Sequence, residues 1–269
     1  MLPLNEKKKI AVVGGGIAGM EVARVAALRG HEVDLYEKTN KLGGVFVAAS
    51  AFSFKEDDRK LLSWYELQMK KTGVNVHLGT EVTMELLNSV KPDAIVVATG
   101  ATPIIPRITG IENSKVVTAT EFLLGNKDAG NNVVIIGGGL TGCEIAYEQA
   151  KKGKHVTIVE MLDSLMADPN IPSITVKGLN IRLKQNAVNI MTGSSAKEVS
   201  DNDVTVEKDG QLTTIPSDTV ITAVGYRSNT ALYDSLKDYG GEVYLLGDAS
   251  KVSNLMNAIW NGYEIGRTI

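Results

Sequence analysis

Apolar residues run unbroken from Ile10 to Val13 and again from Val133 to Ile136, with no polar position alternating among them. A strand of this kind is buried on both faces, which points to a parallel sheet covered on two sides. Glycines follow each run and turn the chain into a helix; in the first case it spans Ile17 to Arg29 and Gly30 reads as its C-cap. A second strand, Val33 to Tyr36, closes a βαβ unit. Further on, Asp57 to Lys71 reads as a helix that acids open, lysines close and Gly73 ends, the arrangement the helix dipole favours. Trp64 and Tyr65 on that helix are expected to pack in a core or at a domain boundary.

The pattern occurs twice. Ile10 to Lys38 and Val133 to Met161 align without a gap at an offset of 123, with ten of 29 positions identical: residues 14, 15, 16, 19, 21, 23, 27, 30, 33 and 37, each plus 123. The likeness continues from Val74–Val82 to Val188–Val199 and from Ala94–Gly100 to Thr219–Gly225, and Asp93 before a strand recurs as Asp218. Pro103, Pro106 and Gly110 mark the connector between copies. The residues after Gly225 are too few for a domain of their own. They carry a strand, Glu242 to Leu246, then Gly247-Asp248 and a helix from Leu255 onward, and are expected to return to the first copy. The predicted fold is α/β: two Rossmann-like three-layer domains, the second inserted into the first, with 1–108 plus 226–269 as one domain and 109–225 as the other.

Composition narrows the chemistry. A net charge of −3 and a pI near 5.7 give no footprint for nucleic acid or an anionic membrane, and Lys7-Lys8-Lys9 reads as solvated charge before a strand. One cysteine, Cys143, excludes an internal disulfide, a four-cysteine zinc site and a self-contained iron–sulfur cluster. The scattered His31, His77 and His155 form no metal set, so no metal is expected. No run is long enough for a secretory signal or a membrane span, and the expected location is the cytoplasm.

Gly14-x-Gly16-x-x-Gly19 and Gly137-x-Gly139-x-x-Gly142 each follow a strand and open a helix. The first glycine permits the bend, the second lets a pyrophosphate approach the backbone, and the third lets helix pack on strand. Free N–H groups at the helix start then face the phosphates. The acid that such a motif requires about 20 positions on, to take a ribose diol, is present both times, as Glu37 and Glu160. Met161 and Leu162 provide no cation for a 2′-phosphate, which predicts NADH over NADPH and a weaker preference in Glu160→Arg.

Paired dinucleotide motifs with a late Gly-Asp resemble the two-dinucleotide-domain flavoprotein reductases. The strings VVGGGIAGMEVARVAALRGHEVDLYEK, IIGGGLTGCEIAYEQAKKGKHVTIVEM and GDASKVSNLMNAIWNGYEIGRTI resemble the C-terminal half of the large NADH:flavin oxidoreductases. That family includes 2,4-dienoyl-CoA reductase, 2-enoate reductase and related NADH oxidases, with trimethylamine dehydrogenase more distant. The resemblance implies that Gly14, Gly16, Ala18 and Gly19 hold the diphosphate of FAD, Glu37 and Lys38 its adenosine ribose, and Gly43 and Gly44 the ribityl chain and flavin. It further implies Val82 at the adenine, Ala98, Thr99 and Gly100 along the middle of the cofactor, Gly247-Asp248 at the ribityl or diphosphate region, and Met256 near the flavin ring. In the second copy it assigns Gly137, Gly139, Leu140, Thr141, Gly142, Glu160 and Gly225 to NADH. Cys143 follows the third glycine where the first copy has Met20, which reads as a buried small hydrophobe.

The resemblance implies hydride transfer from NADH to FAD, a step that needs no general base, and no catalytic side chain is assigned. No CxxC pair is present to take the electrons onward. The family carries FMN and a 4Fe–4S cluster in a preceding barrel domain, so the chain is expected to be the electron-input fragment of an enoate or enoyl-CoA-type reductase, with Leu2 to Lys9 as interdomain linker. Two alternatives stay open: a stand-alone NADH-dependent reductase of a separate carrier protein, and a non-catalytic module that holds ADP.

Overall fold

The computed structural model describes residues 6–269, so the first part of the Leu2–Lys9 segment lies outside the described residues. Two compact units result: one with Lys55–Thr102 and Tyr226–Ile269 joined to the residues before Ala51, the other with Ala51–Phe54 and Pro103–Gly225.

In the first unit the chain runs β1 (Lys9–Val13), α1 (Ile17–Arg29), β2 (Glu32–Glu37), α2 (Val45–Ala49), α3 (Glu56–Thr72), β3 (Asn75–Leu78), α4 (Met84–Val90), β4 (Ala94–Val97) and β5 (Ala101–Pro103). The second unit contributes β6 (Val116–Thr118), α5 (Ala119–Leu123), β7 (Asn132–Ile136), α6 (Leu140–Lys151), β8 (His155–Val159), α7 (Ser173–Gln185) and β9 (Asn189–Met191). Three antiparallel strands follow, β10 (Ser195–Val199), β11 (Asp203–Lys208) and β12 (Gln211–Pro216), before β13 (Thr219–Thr222). The chain then re-enters the first unit through β14 (Tyr226–Ser228), α8 (Ala231–Ser235), β15 (Glu242–Leu245), a 3-10 turn at Gly247–Ala249 and α9 (Leu255–Thr268).

The first sheet is ordered β15-β4-β1-β2-β3 and its pairings are parallel, with Ile10 opposite both Val33 and Ala94. Its apolar strands are explained by burial on both faces. Ile10 and Val12 join Leu35, Met20 and Tyr65 in a core under α1, α3 and α9, while Ala11 and Val13 join Leu87 and Leu236 under α4 and α8. The tail strand β15 lies on β4, with Glu242 opposite Ala94.

The second sheet, β6-β13-β7-β8-β9, repeats the plan. Val133 and Ile135 face α6 and α7, and Val134 and Ile136 face the other way. On that other side the repeat breaks down. Where the first unit has α4, the second has the β10–β12 meander, whose Val199, Val204 and Val206 close the core. The alternation in Asp203–Lys208 and the Asp209-Gly210 turn carry this difference in the sequence.

Helix α9 packs on α1 through Gly262 and Gly266. A Cβ at Gly262 would lie 2.8 Å from the Ala18 carbonyl oxygen, and one at Gly266 2.8 Å from Val25 Cβ. Gly266→Val should therefore force the helices apart and destabilise the fold by about 1–3 kcal/mol, the usual penalty of overpacking, as read by urea denaturation.

Candidate functional site

In each unit the chain reverses its direction of strand addition beside the first strand of the repeat: β2 and β3 lie on one side of β1 with β4 on the other, and β8 and β9 lie on one side of β7 with β13 on the other. The crevice beyond the carboxyl ends of the strands at such a switch point is where open α/β sheets take ligands.

Gly14 leaves β1 with φ 111°, and its N–H donates to the Tyr36 carbonyl at 2.8 Å. No side chain is possible there, since a Cβ would lie 2.2 Å from the Ala98 carbonyl oxygen. Gly19 is equally confined, with its added Cβ 2.0 Å from the Gly14 carbonyl oxygen. Gly16 differs: nothing lies within 4 Å of where its Cβ would be. Two glycines are required by the protein itself, and the middle one leaves open space over the start of α1. No acidic residue stands in the first turn of α1 to offset its N–H groups, which suits a phosphate.

The wall of the cradle comes from other strands. Glu37, 7% exposed, ends β2 with one carboxylate oxygen accepting from Gly15 N–H at 2.8 Å and the other from Thr39 N–H and Oγ1, each at 2.8 Å. Gly43 N–H donates to the Gly15 carbonyl at 2.8 Å, and a Cβ on Gly44 would lie 3.3 Å from Gly16 Cα. Gly247 comes up against Ala18, whose Cβ is 2.8 Å from where a Gly247 Cβ would be. Thr99 Oγ1 donates to the Asn229 carbonyl at 2.8 Å, and Gly100 takes a left-handed turn at φ 69°. Gly14, Gly16, Ala18, Gly19, Glu37, Gly43, Gly44, Ala98 and Gly247 are thus brought together. Lys38 is exposed, Val82 packs partly against the core around Leu87, and Met256 stands half exposed on the first turn of α9.

Asp248 accepts from Ser253 N–H at 3.1 Å while Ser228 Oγ donates to its carbonyl at 2.6 Å. Burial raises the pKa of its carboxyl despite the bond from Ser253.

The second unit reproduces the cradle. Gly137 has φ 111° and its added Cβ would lie 2.4 Å from the Ala223 carbonyl oxygen; that of Gly142 would lie 2.1 Å from the Gly137 carbonyl oxygen; Gly139 faces open space. Glu160 accepts from Gly138 N–H at 2.5 Å and from Leu162 N–H at 2.8 Å. Leu140 and Thr141 form the first residues of α6, and Gly225 turns at φ 98° beyond β13.

The sequence did not reveal that each acid bonds the turn. The repeat held the clue, because the carboxylate's second partner is the residue two positions on in both copies, Thr39 and Leu162. Ser228 and Asn229 carried no local signal; the chain delivers them at and just after β14, where it re-enters the first unit. Cys143 is fully buried, its thiol donates to the Gly138 carbonyl at 3.3 Å, and burial pushes its pKa up to about 12. Among the described residues no group of His, Cys, Asp and Glu is arranged to hold a metal ion, and no helix is long and apolar enough to cross a membrane.

Two switch-point cradles of one design, each with its acid, define a Rossmann-like protein for two dinucleotides. The chain belongs to the pyridine nucleotide-disulphide oxidoreductase family, whose pattern matches residues 8–244. It is 39% identical over 263 residues to the cinnamate reductase of Clostridium sporogenes, covering 97% of this chain and 39% of that protein. It is 37% identical to the NADH oxidase of Thermoanaerobacter brockii, covering 96% of this chain and 40% of that one. A solved 2-naphthoyl-CoA reductase superposes with a TM-score of 0.92 at 34% identity over 99% of this chain and 40% of its own. The solved T. acidophilum thioredoxin reductase, at 19% identity and a TM-score of 0.76, shares the fold over 97% of this chain and 96% of its own. The chain therefore spans about two fifths of the curated relatives named here. It carries this family's module for FAD and NADH, and the open space at Gly16 and Gly139 fits the diphosphates of two dinucleotides.

Three outcomes are expected. Gly19→Ala should lower thermal stability of the ligand-free protein, whereas Gly16→Ala should leave it unchanged and weaken binding of the dinucleotide that this cradle takes by about tenfold or more in a fluorescence titration. Because the raised pKa of Asp248 penalises its charged form, flavin-free stability should fall as pH rises from about 4 through the folded-state value. Asp248→Asn should then raise the melting temperature at pH 7 and not at low pH. Native protein should resist alkylation of Cys143 by iodoacetamide at pH 8.

Proposed function

We propose that this chain is the electron-input module of a larger reductase, with FAD on the first unit and NADH on the second, passing electrons to an FMN and 4Fe–4S barrel domain that reduces an enoate or enoyl-CoA-type substrate. The duplicated cradle carries the proposal: each unit has a confined, open, confined glycine triplet and an acid on the next strand. When bound, NADH would supply a hydride and FAD would accept it; the protein's part is binding and orientation.

In this reading Gly14, Gly16, Ala18 and Gly19 seat the FAD diphosphate, and Glu37, already fixed by Gly15 and Thr39, presents its remaining lone pairs to the ribose. Gly43, Gly44, Ala98, Thr99, Gly100 and Gly247 line the rest of the cofactor, with Lys38 and Val82 toward the adenosine. Asp248, short of hydrogen bonds for a desolvated carboxylate, gains partners from ribityl hydroxyls. Met256 and the N-terminus of α9 stand toward the flavin. Gly137, Gly139, Leu140, Thr141, Gly142, Glu160 and Gly225 seat NADH. The Glu160 carboxylate repels a 2′-phosphate, and Met161 and Leu162, 72% and 55% exposed, bring no cation to it.

The onward step is assigned to another domain because the single cysteine is buried and cannot form the dithiol that the family's name implies. One relative is named for cinnamate and a solved one is a complex with 2-naphthoyl-CoA, which supports an unsaturated acid or its thioester as the final acceptor class.

Protein loaded with FAD should be yellow and lose its flavin absorbance on anaerobic addition of NADH, with NADPH much less effective. Glu160→Arg should narrow that preference by about tenfold. The same protein should not reduce cinnamate until a barrel partner is supplied. A colourless protein that retains only ADP would overturn the proposal.

A further inference from the structure

Ala51–Phe54 stands out from the repeat that explains most of the chain. It follows α2 and precedes α3, yet it belongs to the second unit. At the matching offset the second copy has the start of α7, so the segment has no counterpart there.

Its side chains are built into the second unit. Phe52 is 2% exposed and shares a core with Val133 and Ile135 of β7, Cys143 and Ile145 of α6, and Leu183 of α7. Ser53 Oγ donates to Glu148 Oε2 of α6 at 2.9 Å. The Phe54 ring stacks on Phe52 with centroids 5.3 Å apart and meets Tyr147 of α6 at 5.7 Å. Arg182 of α7 lies 5.6 Å over the Tyr147 ring. Phe52 therefore fills a core position that the contiguous stretch Pro103–Gly225 does not supply, and the segment grips the one helix that starts at the second glycine cradle.

We infer that Ala51–Phe54 is a strap that completes the second unit, and that Phe52 is a positioning residue for NADH, acting through α6. This rests on the assignment of NADH to the second cradle. The physical reason is that an α6 with a cavity beneath it opens locally more often, and the Leu140 and Thr141 amides at its start lose their fixed geometry. FAD is held by other elements, so its binding should not follow.

The test compares full-length, FAD-loaded protein with Phe52→Ala and Phe52→Leu. Cys143 sits on α6 in the same core and reports its opening independently of any activity. In Phe52→Ala the thiol should become reactive to a maleimide and NADH should bind about tenfold more weakly, with FAD content unchanged. Phe52→Leu should restore most of both. If Phe52→Ala does not fold, Phe52→Leu carries the test, with a smaller change of the same sign in both readouts expected. An unreactive thiol with unchanged NADH affinity in the folded variant overturns the strap, as does parallel loss of FAD and NADH. Thiol exposure in a protein whose unaltered form binds FAD and no NADH supports the strap and overturns the nucleotide assignment.

Discussion

The close approach of two backbone strands at Gly14 and Ala98 is the constraint on which the first unit depends. With no side chain at Gly14, β1 and β4 can release their chains side by side, and Gly19 can bring α1 down onto the turn. That in turn leaves the N–H groups at the start of α1 facing the crevice beyond the sheet. The carboxylate of Glu37 then fixes the turn from the other side by taking the Gly15 N–H. Position and polarity of the cradle are thus settled by packing before any ligand enters. Gly137, Ala223, Gly142 and Glu160 restate the constraint in the second unit with nearly the same geometry.

Much of this was legible because it rests on residue types that cannot be exchanged. A glycine whose Cβ would overlap a carbonyl is visible in sequence as an invariant of the repeat, and so is the acid at residue 37 or 160. Helix α1 could be delimited at Ile17–Arg29 because Gly30 ends it in a left-handed turn at φ 105°. What stayed hidden depends on long-range chain paths. Nothing local to Phe52 distinguishes a core residue of the second unit from a loop residue between α2 and α3. The β10–β12 meander was missed for a different reason: aligning Val188–Val199 with Val74–Val82 carried the first copy's plan into a stretch that alternates and turns. Self-similarity is a guide to the elements that hold a ligand and a poor one to those that cover the back of a sheet.

Asp248 and Cys143 show burial producing opposite consequences. Both have raised pKa values because their charged forms are poorly solvated. For the thiol, whose uncharged form is already the stable one near neutrality, this means inertness. For the carboxyl it means that ionisation comes at a cost to the flavin-free fold, a cost that hydrogen-bond donors on a ligand would offset.

The two copies also differ where their surroundings require it. Ala18 and Thr141 occupy the same position in the repeat, just inside the helix that follows the glycine turn. In the first unit the returning chain passes directly over this residue: a Cβ on Gly247 would lie 2.8 Å from Ala18 Cβ, and Gly262 of α9 approaches the Ala18 carbonyl. A larger side chain at residue 18 would displace the segment that delivers Asp248. Ala18 and Thr141 are both half buried, and Thr141 places a hydroxyl at the head of α6 where the first copy has only a methyl group. Within a common design the first cradle is thus covered by the returning end of its own unit, a segment the second unit, which ends at Gly225, does not have. On the proposed assignment, this difference suits a cofactor that stays on the first unit and a nucleotide that comes and goes at the second.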